Sequence, residues 1–180
     1  EHISGFGQAE FELVENLKLI AGARLQREEV TVIGNRPGLP LKPGDLNLQG
    51  PTGTWSVGTR TRDDTAMTGK VGLQYRFSPD LQTYATYSRG YKGLGMSTEL
   101  TDDFVNGPPV LPEHVNAYEV GLKGRLPEAG LSFSLAVYYA KYTDLQIQAN
   151  RSDPTTGVIQ YVQTNAGSST TKGFELEGEW

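Results

Sequence analysis

Six residues have the types and grouping to grip an anion: Trp55, Arg60, Arg62, Arg89, Tyr91 and Lys92. Guanidinium and ammonium groups supply charge-assisted hydrogen bonds, and aromatic rings supply flat faces on which cations and apolar groups rest. These residues lie in long loops or at the strand ends below them, where binding groups gather. A plainer account makes Tyr91 part of an interfacial aromatic belt and leaves the arginines solvated. Other groupings carry less. Gly90-Tyr91-Lys92-Gly93-Leu94-Gly95 is glycine-rich, but it is not GxGxxG and no helix follows, so it reads as a strand end easing into a loop. His2 and His114 stand alone, with no ligand-spaced partners for a metal. Asp63-Asp64 and Asp102-Asp103 have calcium-binding oxygens, although solvated loop acids are the commoner case. Asn150-Arg151-Ser152 is a bare glycosylation sequon. No nucleophile–base–acid set stands out, so neither an enzymatic step, a metal nor a cofactor is expected.

Those residues need elements to hold them, and composition narrows the choice. The 180 residues include 22 glycines and no cysteine, with a formal net charge of −5. Mild acidity argues against nucleic acid, which calls for a basic surface. No run approaches the ~18 apolar residues of a membrane-spanning helix. A barrel strand needs only ~9–11 residues with every second one apolar, so low hydropathy does not exclude a membrane wall. The sequence opens at Glu1 without a methionine or signal-like stretch and stops at Trp180 inside an alternating segment. A fragment of a larger protein is therefore expected.

Helical periodicity is nearly absent, and period-two alternation pervades the chain. Leu17, Leu19, Ala21, Ala23 and Leu25 oppose Lys18, Gly22, Arg24 and Gln26. Val71, Leu73, Tyr75 and Phe77 oppose Lys70, Gly72, Gln74 and Arg76. Tyr118, Val120, Leu122 and Leu126 oppose Glu119, Lys123 and Arg125, and Leu131 to Tyr139 alternate likewise. Seven strands are predicted, near residues 3–13, 17–32, 66–77, 81–95, 115–126, 131–150 and 158–180.

Turn lengths test the faces, because paired residues on neighbouring strands must share one. Pairing Leu13 with Leu17 leaves Val14-Glu15-Asn16 as a loop, with Asn16 left-handed and Glu12 opposite Lys18. Pairing Phe77 with Leu81 leaves Ser78-Pro79-Asp80 and sets Arg76 against Gln82. Pairing Leu126 with Leu131 leaves Pro127-Glu128-Ala129-Gly130, a natural type I turn sequence. The other connections, at 33–65, 97–114 and around Ser152-Asp153-Pro154, are longer or richer in Gly, Pro and Thr. Short and long connections alternate, so all short turns fall at one end of the sheet, as in outer-membrane barrels.

A soluble sandwich also has one apolar and one polar face. Three features favour a barrel wall. Aromatic residues gather at both strand ends: Phe11, Tyr75, Phe77, Phe133 and Trp180 near the short turns, and Tyr87, Tyr91, Tyr139, Tyr142 and Tyr161 nearer the other end. The polar face carries both signs of charge, from Glu10, Glu12, Lys18, Arg24, Lys70, Arg76, Glu119, Lys123, Arg125, Glu175 and Glu177. The sixth strand is far longer than a sandwich needs. The expected fold is all-β: a transmembrane antiparallel up-and-down β-barrel, present as about seven strands of a larger barrel.

At three places the sequence resembles the barrel of TonB-dependent receptors. Phe6-Gly7-Gln8-Ala9-Glu10 followed by Leu17 to Arg24 is similar to a hairpin common in that family. Tyr84-Ala85-Thr86-Tyr87-Ser88-Arg89-Gly90-Tyr91-Lys92-Gly93 resembles its aromatic, Arg-Gly, Lys-Gly strand end. Tyr118 to Lys123, Tyr142-Thr143-Asp144-Leu145-Gln146, Asn165-Ala166-Gly167 and Lys172 to Glu177 follow the family's order and spacing. The resemblance implies a barrel of about 22 strands around a plug domain. Residues 1–180 would be barrel only, with the plug and its TonB-contacting segment elsewhere. It further implies a multi-pass protein of the bacterial outer membrane that imports a ferric siderophore or similar ligand, powered by the TonB complex, with no catalysis. The six anion-suited residues would then meet an anionic iron chelate. The alternatives are a passive porin-like channel and a soluble or surface-anchored β-sheet binding module.

Overall fold

The computed structural model describes residues 1–36, 55–95, 110–152 and 159–180, and the side chains of 33–36, 55–60, 151 and 160 lie outside that description. The strands are β1 (His2–Val14), β2 (Leu17–Arg36), β3 (Trp55–Ser78), β4 (Leu81–Lys92), β5 (Glu113–Leu126), β6 (Leu131–Ser152) and β7 (Ile159–Glu179). Each pairs antiparallel with the next in sequence, giving one open seven-stranded sheet with β1 and β7 as its edges. This is the up-and-down order of a barrel wall, seen as an arc.

The hairpins fold largely as turn chemistry dictates. Asn16 takes φ 65°, the left-handed conformation that asparagine tolerates well. Glu12 faces Lys18, but the hairpin closes on Val14↔Leu17 and Leu13 becomes a bulge. Arg76 faces Gln82 likewise, while Ser78↔Leu81 closes the turn and Phe77 is the bulged residue. The third turn is as predicted: Leu126 pairs with Leu131 around a single 3-10 turn, with Gly130 at φ 62°.

The long connection expected over 33–65 is the largest correction. β2 runs on to Arg36 and β3 starts at Trp55, so the two pair far above the neighbouring strands. This extension (Trp55-Ser-Val-Gly-Thr-Arg-Thr-Arg-Asp-Asp-Thr65) lacks apolar alternation, and Thr61-Arg62-Asp63-Asp64-Thr65 is polar at every position.

Across the sheet, parity decides the environment. One full row of paired residues reads Phe11, Leu19, Leu73, Ala85, Val120, Val137, Phe174. The adjacent row reads Glu12, Lys18, Gln74, Tyr84, Gly121, Ala136, Glu175. The first row points to one face and the second to the other. Nothing among the described residues covers the apolar face, where Leu73, Val120 and Val137 are 45, 58 and 56 % exposed. Among the described residues the buried apolar ones are Ala66, Val110 and Val162, all toward the long-connection end. A sandwich would have buried the apolar rows against a second layer. This wall instead presents them outward, and the only helical element among the described residues is the short turn at Pro127–Ala129.

Aromatic side chains mark the borders of the apolar band. Tyr75 and Phe77 meet edge-to-face at 4.9 Å near the short turns, and Trp180 donates its indole N–H to the Ala129 carbonyl there. At the other border Tyr87, Tyr118 and Tyr139 stand side by side on β4, β5 and β6, with ring centroids 5.0 and 6.4 Å apart. Tyr118 was not foreseen in that border. Tyr142, expected there, pairs with Val115 on the opposite face.

Candidate functional site: a polar network at the long-connection end

Above the tyrosine row the strands stop matching in length, and the chain must leave the wall. β3–β4 pairing ends at Gly69↔Arg89, and β4 itself ends at Lys92. Freed from β3, Tyr91 sends its hydroxyl to the carboxylates of Glu28 at 2.8 Å and Asp64 at 2.7 Å. Those two acids face each other across the β2–β3 pair. One phenolic proton serves them in turn. Burial, and then the hydrogen bonds to Asp64 and Glu28, push the Tyr91 phenol well above the usual tyrosine range.

The Glu28 carboxylate also accepts the Leu94 N–H at 2.7 Å. A Cβ at Gly93 would meet that carboxylate, so glycine here leaves the Glu28 side chain free to reach the Leu94 N–H. Gly95 then forms an isolated bridge with Val110, which is buried, at the far side of the long connection. The two described ends of that connection therefore come together.

β6 and β7 hold them from the other side. Gln146 donates its amide N–H to the Gly93 carbonyl at 2.7 Å and to the Leu111 carbonyl at 3.0 Å. Its own backbone N–H donates to Glu113 at 3.0 Å. Asn165 accepts the Leu111 N–H at 2.7 Å and returns a bond to the Leu111 carbonyl at 2.9 Å. It also reaches the carbonyl of Asp144, a residue held at φ 55°. Side chains from β2, β3, β5, β6 and β7 thus tie residues 91–95 and 110–113 to the wall. The network positions backbone and contains no nucleophile poised by a base.

The anion-suited residues spread around this network. Tyr91 lies within it, and Lys92 pairs with Glu113 at 3.8 Å. Arg62 lies on the raised β2–β3 ribbon opposite Val30, exposed to solvent. Arg89 lies between Gly69 and Asn116 on the face that carries Tyr87. Trp55 and Arg60 are on β3 opposite Arg36 and Val32, with side chains outside the described residues. Glu28, Glu113, Gln146 and Asn165 are not among the sequence-predicted site residues, and Asp64 is there only as a possible calcium ligand. Gln146 and Asn165 fall within the quoted family-like motifs, but motif position alone assigns no contact. The register that brings Glu28 to Gly93 has no local signature.

Among the described residues no group of three or more His, Cys, Asp or Glu could hold a metal. Asp102 and Asp103 lie outside the described residues. His114 packs against Tyr91 with ring centroids 5.5 Å apart.

This architecture has known counterparts. The family described as "TonB dependent receptor-like, beta-barrel" matches residues 2–180, and the chain belongs to that family. Its members are transport receptors of the outer membrane. The chain is 26 % identical over 176 residues to the ferric-pyoverdine 358 receptor of Pseudomonas putida, covering 96 % of this chain and 18 % of that protein. It is 30 % identical over 112 residues to the metal-pseudopaline receptor CntO of Pseudomonas aeruginosa, covering 62 % of this chain and 14 % of that one. The chain thus spans less than a fifth of these curated relatives. In fold it is similar to the ferric yersiniabactin uptake receptor FyuA of Yersinia pestis, with TM-score 0.71, 17 % identity, 99 % of this chain and 24 % of FyuA covered. It is likewise similar to the copper transporter OprC, with TM-score 0.69, 20 % identity, and 98 and 26 % covered.

Proposed function

We propose that this chain is one arc of a multi-pass barrel in a bacterial outer membrane, and that the barrel imports a metal chelate, a ferric siderophore foremost, under TonB control. The single observation that carries the reading is the division of faces within a family-matched wall. An apolar row lies across all seven strands beside a row that carries Glu12, Lys18, Gln74, Tyr84 and Glu175. Hydrocarbon offers no hydrogen-bond partners, so a wall this apolar outside must be paired throughout and closed by further strands. The charged inner face suits water and an interior plug domain, and residues 1–180 would be wall alone. The names of the relatives, a ferric-pyoverdine receptor and a metal-pseudopaline receptor, support a metal chelate as cargo.

Ligand contacts fall to the cations and aromatics above the tyrosine row: Trp55, Arg60, Arg62, Tyr91 and Lys92. Their charge and flat faces suit an anionic chelate. Arg89 faces the apolar side and has a different environment.

The test is genetic and direct. Deleting the gene that encodes this chain should abolish uptake of radiolabelled iron from one ferric siderophore, and the intact gene should restore it only where TonB is present. Restored uptake without TonB would favour a passive channel. Unchanged growth under iron limitation, with no ferric chelate bound, would contradict iron import.

A further inference from the structure

The outward face is not evenly bulky. Gly7, Ala9, Ala21, Ala23 and Gly69 form a block on β1, β2 and β3, within the paired rows Ala9–Ala21–Val71 and Gly7–Ala23–Gly69. Larger residues rim it: Phe11 and Leu19 toward the short turns, Leu25 and Met67 toward the long connections, Tyr87 on the β4 side. The missing side-chain volume leaves a groove of about 710 Å³ with an overwhelmingly apolar lining.

At one margin the lining includes Arg89. The paired row that contains it continues through Asn116 to Lys141, and Lys172 stands beside Tyr139. By strand parity these cations share the outward face with the tyrosines. Among the described residues, that face carries no carboxylate between the short turns and the Arg89 row. The polar face has both signs, whereas this border has one. Cations beside an aromatic belt stretch toward anionic headgroups while their stems lie on apolar surface. A second copy of this chain is a poor occupant, because a two-fold contact here would bring cations against cations.

We infer that the groove binds one acyl chain of a phosphate-bearing lipid in the leaflet on the long-connection side, with the phosphate at Arg89. The inference rests on the membrane-wall reading above. Small residues admit the chain against the backbone, the rim holds it, and the guanidinium selects the headgroup.

The experiment uses the full-length receptor in vesicles of equal phosphatidylglycerol and phosphatidylcholine, with lipid retention read by native mass spectrometry. Wild type should retain phosphatidylglycerol in preference by about fivefold. Arg89→Gln should erase the preference, and inorganic phosphate at millimolar level should not. Ala21→Leu with Ala23→Leu should reduce retention of both lipids while leaving chelate uptake intact. No headgroup preference in wild type, a preference that survives Arg89→Gln, a preference abolished by inorganic phosphate, or retention unmoved by the filled groove would each overturn the proposal. Loss of heat-modifiable barrel in wild type would instead sink the wall reading.

Discussion

Asn165 on β7 grips Leu111 from both sides of one peptide unit, accepting its N–H at 2.7 Å and donating to its carbonyl at 2.9 Å. The same amide caps the left-handed kink at Asp144 with a third bond of 2.7 Å. Asparagine has the donor and acceptor this needs, and few side chains are so short with both. The grip lies between positions 54 residues apart in sequence, so it closes a large part of the wall at its upper end.

That grip should be measurable. Each such bond contributes about 0.5–1.5 kcal/mol, less where water competes. Asn165→Ala should therefore open the Leu111 end locally, speeding its amide exchange by roughly tenfold. Asn165→Asp keeps the acceptor and loses both donated bonds, and should fall between. Equal exchange in all three proteins would show the bonds to be idle.

The face assignment predicts unequal neighbours. Leu73→Arg, on the apolar row, should cost ~2–4 kcal/mol in folding into bilayers, whereas Gln74→Arg beside it should cost far less. Gln74 bonds Gln82 on the polar face, so only a partly solvated contact is lost. Urea titration in liposomes reads both.

Gly121 carries a different constraint. The Tyr84 ring of the neighbouring strand occupies the space a Cβ would need, and its hydroxyl reaches Glu119 at 2.6 Å. Gly121→Ala should cost about 1–3 kcal/mol by displacing that ring. In a Tyr84→Ala background the same change should be nearly free, a coupling that a double-mutant cycle measures.

Tyr91 gives a pH signature. Its phenol titrates above the unfolded value of about 10, so whatever the neutral hydroxyl contributes is fully present below that pH and declines as pH rises beyond it. The stability gap between wild type and Tyr91→Phe should be flat through neutral pH and shrink in the alkaline range. A gap that widens there would reverse the assignment.

How far the sequence reaches is plain from these residues. Alternation gave the wall's faces because a strand between oil and water repeats its polarity every second residue. Asn16 and Gly130 announced their turns because few residues accept positive φ. The raised ribbon from Trp55 to Thr65 stayed hidden because Thr61-Arg62-Asp63-Asp64-Thr65 is polar at every position and leaves no alternation. Hairpins closing on Val14 and Ser78 were missed because a bulge absorbs one residue without changing the face beyond it. The network of Glu28, Tyr91, Gln146 and Asn165 depends on curvature across several strands. Local spacing encodes no such distance: Tyr91, Gln146 and Asn165 lie in family-like motifs, whereas Glu28 lies in none.

Which face of the sheet meets lipid decides everything else about this wall. Nitroxide labels at positions 73 and 120, and separately at 74 and 119, in the full-length receptor in bilayers would test this by collision with oxygen and with a water-soluble nickel chelate. Labels at 73 and 120 should collide with oxygen and be shielded from nickel, and those at 74 and 119 should not share that oxygen exposure. Oxygen access alike at all four positions, or highest at 74 and 119, would contradict the wall.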